Sequence, residues 1–445
     1  MTNIQSKTVF SLILVSLLSL TACGKTEEAK KVAKPQEKQI QAETWEQFVT
    51  RQIEAHIAAH PQWAVTQGRH EYDGQLPDWS RAAIEKEIAR LHQARDEALA
   101  FADDQMNADM LYQREYMISR IDHDLFWMEK AGLPFRSPQY YFGWMSDSLD
   151  PSAYISLNYA SLEQRMRAFT RYLGNVPRAV GQIRENLAMP MPRTWLQLGI
   201  DSFAGYAAYF RDEVPMVWAA VEDEELQHAF ESANAGAIEA MQGMADWLTE
   251  NLSTATEDFA LGPELFKQML WDTERVDISL QELEAIGRAD MARNLKNLNE
   301  ACAEFAPGVS IQDCFARMSS RKPKDGSVVS ARDQLGEIRK FIVDKDLVSI
   351  PGTEEARVNE SPPYARSNFA YINIPGPWEK NQPSVYYISP PNPAWPEDVQ
   401  ADYVAGEADL LFTSVHEVWP GHFLNFLHAN RASFFYGRVF VGYAY

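Results

Sequence analysis

The residues with the most chemistry to offer lie in "VHEVWPGHF", positions 415–423. His416 and Glu417 are adjacent, and His422 follows six residues after the first His. A zinc hydrolase holds its ion with two neutral imidazoles and one further ligand, leaving a position open for water. The metal acidifies that water, and a Glu beside the first His takes its proton during attack on a carbonyl. On a regular helix this needs the two His four residues apart, on one face. A separation of six puts them about 120° apart, too divergent to meet one ion. Pro420 and Gly421 change that expectation. Proline removes a backbone donor and clashes with the preceding turn, and glycine accepts angles that other residues avoid. Together they are expected to kink or bulge the helix and swing His422 back toward His416. A proline inside a helix costs about 3 kcal/mol or more, and such a cost beside ionisable groups points to function. His416 and His422 are therefore candidate metal ligands and Glu417 the candidate general base. Zn is the expected cofactor, although such a ligand set also suits other divalent ions.

The third ligand is open on spacing alone. His428 lies just downstream, and Glu407 and Asp409 just upstream. Asp409 precedes His416 by seven residues and so shares its helix face. A second His-Glu pair, His70–Glu71, falls in a Gly-, Pro- and Asp-rich stretch with no second His nearby on a helix, and reads as structural or incidental. Serine and cysteine hydrolysis are disfavoured: there is no G-x-S-x-G elbow and no thiol set beside a partner His. Cys302 and Cys314 flank a helix, a Pro-Gly turn and a second helix. They form either a disulfide or a pair of buried free thiols, and their spacing fits no zinc pattern.

These residues need a scaffold, and the pattern that supplies it is helical. Trp45, Phe48, Val49, Ile53 and Ile57 recur at helical spacing behind a Thr44/Gln47 capping box, and Pro61 ends that helix. Ser80 is placed to cap the next one. Helical periodicity continues to about residue 302, broken near 134, 150, 190 and 262 by Pro and Gly clusters. The aromatic interruption "RSPQYYFGWMSDSLDPSAY" reads as core rather than cleft lining. After about residue 345 the chain turns rich in Pro, Asn and Tyr. Asn368–Ile374 and Ser384–Ser389 favour strand and predict a small hairpin before the His-Glu helix. The fold class is thus mainly α: one large helical domain with a short β-hairpin beside the metal helix.

The 445 residues are 46% hydrophobic and 12% aromatic, a globular composition. A net charge of −21 repels phosphates and excludes nucleic acid as a natural partner. The N-terminus carries Lys7, an apolar run from Val9 to Leu20, then Thr21-Ala22-Cys23. That is a secretory signal too short to span a bilayer. Its end resembles a bacterial lipobox. The expected domains are a signal peptide over 1–22, a charged tether over 23–43 beginning at lipidated Cys23, and the helical domain over 44–445. Gly24, not Asp, follows the Cys, so the expected location is the cell envelope, lipid-anchored at the outer membrane and facing the periplasm.

The heptapeptide His416-Glu417-Val418-Trp419-Pro420-Gly421-His422 matches the His-Glu-x-x-Pro-Gly-His signature of bacterial domain-of-unknown-function family 885, many of whose members are lipoproteins. "YDGQLPDWS", "PPYARSNFAYIN" and "PSVYYISPP" resemble further segments of that family. The likeness runs from about residue 44 to 445. It implies a helical, zincin-like fold and zinc-dependent hydrolysis of peptides, with His416 and His422 as ligands and Glu417 as base. It also implies a Glu-Gly-Trp-Ala motif on the next helix, whose Glu would be the third ligand. This chain stops at "GRVFVGYAY", which reads as a fragment cut before that motif. The rival readings are a non-catalytic envelope lipoprotein whose helical cleft binds peptides, and a hydrolase of some other amide or ester.

Overall fold

A computed structural model describes residues 43–143, 148–361, 366 and 368–441, and the signal, Cys23 and most of the tether lie outside them. Residues from Thr44 onward cluster as one unit. Its first helix, Trp45–Ala59, has the expected capping box: Thr44 Oγ1 accepts from Gln47 N–H, and the Gln47 side chain accepts from Thr44 N–H. His60 closes that helix, and Pro61 opens a short second one, Pro61–Thr66, at the position where proline's missing donor costs nothing. Ser80 caps Arg81–Leu99.

Two apolar cores matter for function. The larger is built on Leu162–Asn186, Arg193–Asp212 and Glu224–Glu250, which pack on one another through Phe169, Tyr172, Phe203, Phe210 and Met241. Tyr140, Tyr141 and Tyr154 from the aromatic interruption are buried in it, as the core reading of those residues expects. The smaller core lies between Ser327–Lys345, which contributes Ala331, Leu335, Ile338 and Ile342, and the helices Glu407–Glu417 and His422–Ala429. Beside it stands a three-stranded sheet in the order β1 (Arg357–Glu360), β3 (Val385–Ile388), β2 (Ala370–Asn373).

The predicted hairpin is present as the antiparallel pair β2–β3, with Tyr371 opposite Tyr387 and Ile372 opposite Tyr386. The tyrosine rings stack at 5.1 Å. The third strand, β1, is parallel to β3 and was not expected, because "RVNE" offers only Val358 as a buried apolar residue. Cys302 and Cys314 form a disulfide with Cα atoms 5.8 Å apart, joining Leu280–Phe305 to Ile311–Ser319. Among the described residues no helix is long and apolar enough to cross a membrane.

Candidate metal centre

The helix Glu407–Glu417 is held at both ends by its neighbours. At its start Glu407 N–H donates to Arg321 O at 2.7 Å, and Gln334 Nε2 donates to Glu407 O at 2.9 Å. One turn before its end Ser414 Oγ donates to Gln334 Oε1 at 3.3 Å, so a single side chain braces both. The helix stops at Glu417. Here the structure departs from the expected kink: the helix does not bend through Pro420 but breaks, and a separate helix begins at His422. Val418 and Trp419 turn into the smaller core and are almost fully buried. The Trp419–Pro420 bond is cis. Gly421 then passes so close to the preceding helix that a Cβ there would stand 1.7 Å from His416 O and 2.5 Å from Val415 O. Its φ of −75° is open to any residue, so glycine is required by space and not by backbone angle.

The break achieves what the kink was meant to. His416, in the last turn of one helix, and His422, the first residue of the next, bring their Nε2 atoms to 3.1 Å, with the rings nearly perpendicular. Two nitrogens each about 2.0–2.1 Å from one tetrahedral ion stand roughly 3.3 Å apart. The pair therefore fits a zinc-class ion by distance and by donor type. His416 is exposed and His422 partly so, leaving the site open to solvent. Burial pushes the His422 pKa below that of an ordinary imidazole, and His416 adds to the shift.

Glu417 is buried at the same junction. Burial pushes its pKa above the usual carboxylate range, while His416 and a hydrogen bond from Ile372 N–H pull it back. The Ile372 contact fixes the carboxylate at the outer edge of β2. Ser389 N–H bonds Phe369 O, so the backbone groups of Phe369, Tyr371 and Asn373 face β3. Those of Ala370 and Ile372 face outward, toward Glu417. Ile372 was not foreseen as part of the site, since its role is a backbone one set by strand register.

The alternative ligands are placed elsewhere. Asp409 accepts from Ser319 Oγ at 2.8 Å, two helical turns from His416. Glu407 sits at the far end of the same helix, and His428 Nε2 donates to Ser349 O at 2.8 Å. Sharing a helix face with His416 does not suffice for Asp409, because seven residues of helix are about 10 Å. Among the described residues no third His, Cys, Asp or Glu joins His416 and His422 at metal-binding distance. Of the two readings of the His70–Glu71 pair the contacts favour the structural one: the His70 ring bridges Asp73 at 3.1 Å and Glu379 at 2.8 Å, and Glu71 pairs with Arg69.

Residues 61–443 match the family model described as "Bacterial protein of unknown function (DUF885)", and the chain belongs to that family. Two solved structures share its fold. One is titled a "putative lipoprotein of unknown function" from Shewanella oneidensis, with TM-score 0.69 and 19% identity over 89% of this chain and 74% of that one. The other is titled a "putative lipoprotein" from Colwellia psychrerythraea, with TM-score 0.65 and 14% identity over 87% of this chain and 73% of that one. No curated protein matches the chain.

Proposed function

We propose that the protein is a metal-dependent peptidase of the cell envelope. The observation that carries this reading is the convergence of His416 and His422 on one point, 3.1 Å apart, beside a buried Glu417. His416 and His422 would hold the ion, which when bound supplies a Lewis acid and lowers the pKa of water. Glu417 is the base: its carboxylate takes the proton of the attacking water and returns it to the leaving amine. A pKa raised by burial suits that exchange. Ile372 N–H orients the carboxylate. The remaining outward groups, the N–H and C=O of Ala370 and the C=O of Ile372, offer an extended peptide an edge to pair with, which would align a scissile amide along Glu417. The envelope location rests on the lipobox at Cys23 and on the lipoprotein titles of the structural neighbours.

The test is Glu417→Gln in the full chain, with cleavage of a quenched fluorescent peptide library and bound zinc measured together. The expected result is a loss of turnover by a factor of about 10²–10⁴ with zinc retained. Unchanged cleavage in the variant, or full cleavage in the presence of a strong chelator, would overturn the reading. The non-catalytic alternative draws on one observation, the two-ligand donor set among the described residues. It predicts saturable peptide binding that chelator leaves intact and no cleavage under any metal.

A further inference from the structure

We propose that His56, His60 and Glu87 form a second divalent transition-metal site, which clamps the first helices of the domain together. It lies in the larger core, on elements that contribute nothing to the His416–His422 pair. His56 and His60 are four residues apart across the end of Trp45–Ala59, the spacing that puts two imidazoles on one face. Their ring centroids are 4.1 Å apart. Glu87, on Arg81–Leu99, brings Oε1 to 3.1 Å from His60 Nε2. One ligand atom from each residue lies within 4.8 Å of the others. Two imidazoles and a carboxylate on converging elements are the donor set of zinc, cobalt and nickel sites, with room left for water.

A second observation points to a ligand. His56 is 5% exposed, and its Nε2 is buried with no hydrogen-bond partner. Trp63 and Phe440 meet its ring edge to face at 4.8 Å, so aromatic walls hold the imidazole without satisfying that nitrogen. A buried ring nitrogen left unpaired is destabilising, and a metal bond would relieve it. Arg90 binds both oxygens of Glu87, at 2.5 and 2.7 Å. That pairing leaves lone pairs free, since a carboxylate offers about four, and a partner of this kind commonly orients a ligating carboxylate. A cavity of about 920 Å³ lined by His60, Glu87, Arg90 and Asp124 adjoins the cluster and has space for water ligands.

The test uses cobalt(II) as the probe and full-length protein in which His416→Ala and His422→Ala remove the other pair. The expected result is a stoichiometric visible cobalt band from a low-coordinate site, lost when either His56→Gln or His60→Gln is added. X-ray absorption of the cobalt-loaded His416→Ala/His422→Ala protein should count two imidazoles, and this readout decides the matter if the added variants fail to fold. A folded His416→Ala/His422→Ala protein with no cobalt band, a band that survives both added substitutions, or an absorption spectrum without imidazole scattering would overturn the proposal. None of these outcomes depends on whether the His416–His422 pair supports catalysis.

Discussion

Replacing Gly421 by alanine tests the joint on which the candidate centre depends. The added Cβ would lie 1.7 Å from His416 O and 2.3 Å from His416 C. Both are backbone atoms of a helix packed on the smaller core, so neither can rotate away as a side-chain tip would. Relief requires the two helices to part, which also parts His416 and His422. Overpacking of a tight site costs about 1–3 kcal/mol, and a backbone clash belongs at the upper end. Unfolding entropy is roughly 2.1 cal/mol/K per residue, or about 0.8 kcal/mol/K over the Thr44–Tyr445 unit, so a loss near 3 kcal/mol lowers Tm by about 4 °C. Gly174→Ala is the matched control. That residue sits in Leu162–Asn186 with nothing near its absent Cβ, and alanine there should stabilise by about 0.5–1 kcal/mol. Differential scanning calorimetry and zinc titration of both variants make the assay. A Gly421→Ala protein with unchanged Tm and unchanged zinc affinity would refute the claim that space, through the helix break, sets the ligand pair.

Three further predictions concern the frame. The pKa of His70 is held up at about 9: burial opposes its charge, but Asp73 and Glu379 outweigh that. A raised folded-state pKa stabilises fully below the unfolded value near 6.5 and ceases to do so as pH passes 9. The Tm gap between the natural protein and His70→Gln should therefore shrink steadily between those pH values, and a gap constant with pH would contradict the bridge. Tyr154 is fully buried; its hydroxyl accepts from Gly74 N–H at 2.9 Å and donates to Gln62 Oε1 at 3.0 Å. Tyr154→Phe leaves both groups unpaired and should cost about 1–3 kcal/mol, read as a lower urea midpoint at unchanged slope. The Cys302–Cys314 bridge closes a loop with sequence separation 12, worth about 3 kcal/mol in the chain-entropy model. Cys314→Ala should raise amide exchange in Ile311–Ser319 well before the larger core responds.

How much of this could be read from the residues varied with how local the cause was. Caps at Thr44 and Ser80 depend on neighbours within one turn and were legible, as was the helical class. The strands of the β2–β3 pair were legible from their Tyr, Ile and Val content, but β1 was not, since a four-residue strand with one buried apolar position has almost no pattern. The pairing of His416 with His422 followed from Pro420 and Gly421. The manner of it did not: whether the helix bends or breaks is decided by Val418 and Trp419 finding the smaller core, a tertiary event. Asp409 shows the converse error, where correct periodicity implied a proximity that axial rise forbids. Ile372 at Glu417 was invisible because it depends on which backbone groups β3 leaves over.

The break at residues 418–421 makes the ligand pair non-local in a way a single-helix motif is not. In a motif carried on one uninterrupted helix, the two imidazoles stay aligned wherever that helix forms, even as a peptide. Here they sit on two helices whose mutual angle exists only after Val418, Trp419 and Phe423 are buried against Ser327–Lys345. Any ion held by this pair would therefore report on assembled tertiary structure. An excised segment spanning both histidines should lose the preorganisation, and transplanting the heptapeptide into another helix would carry over the letters without the geometry.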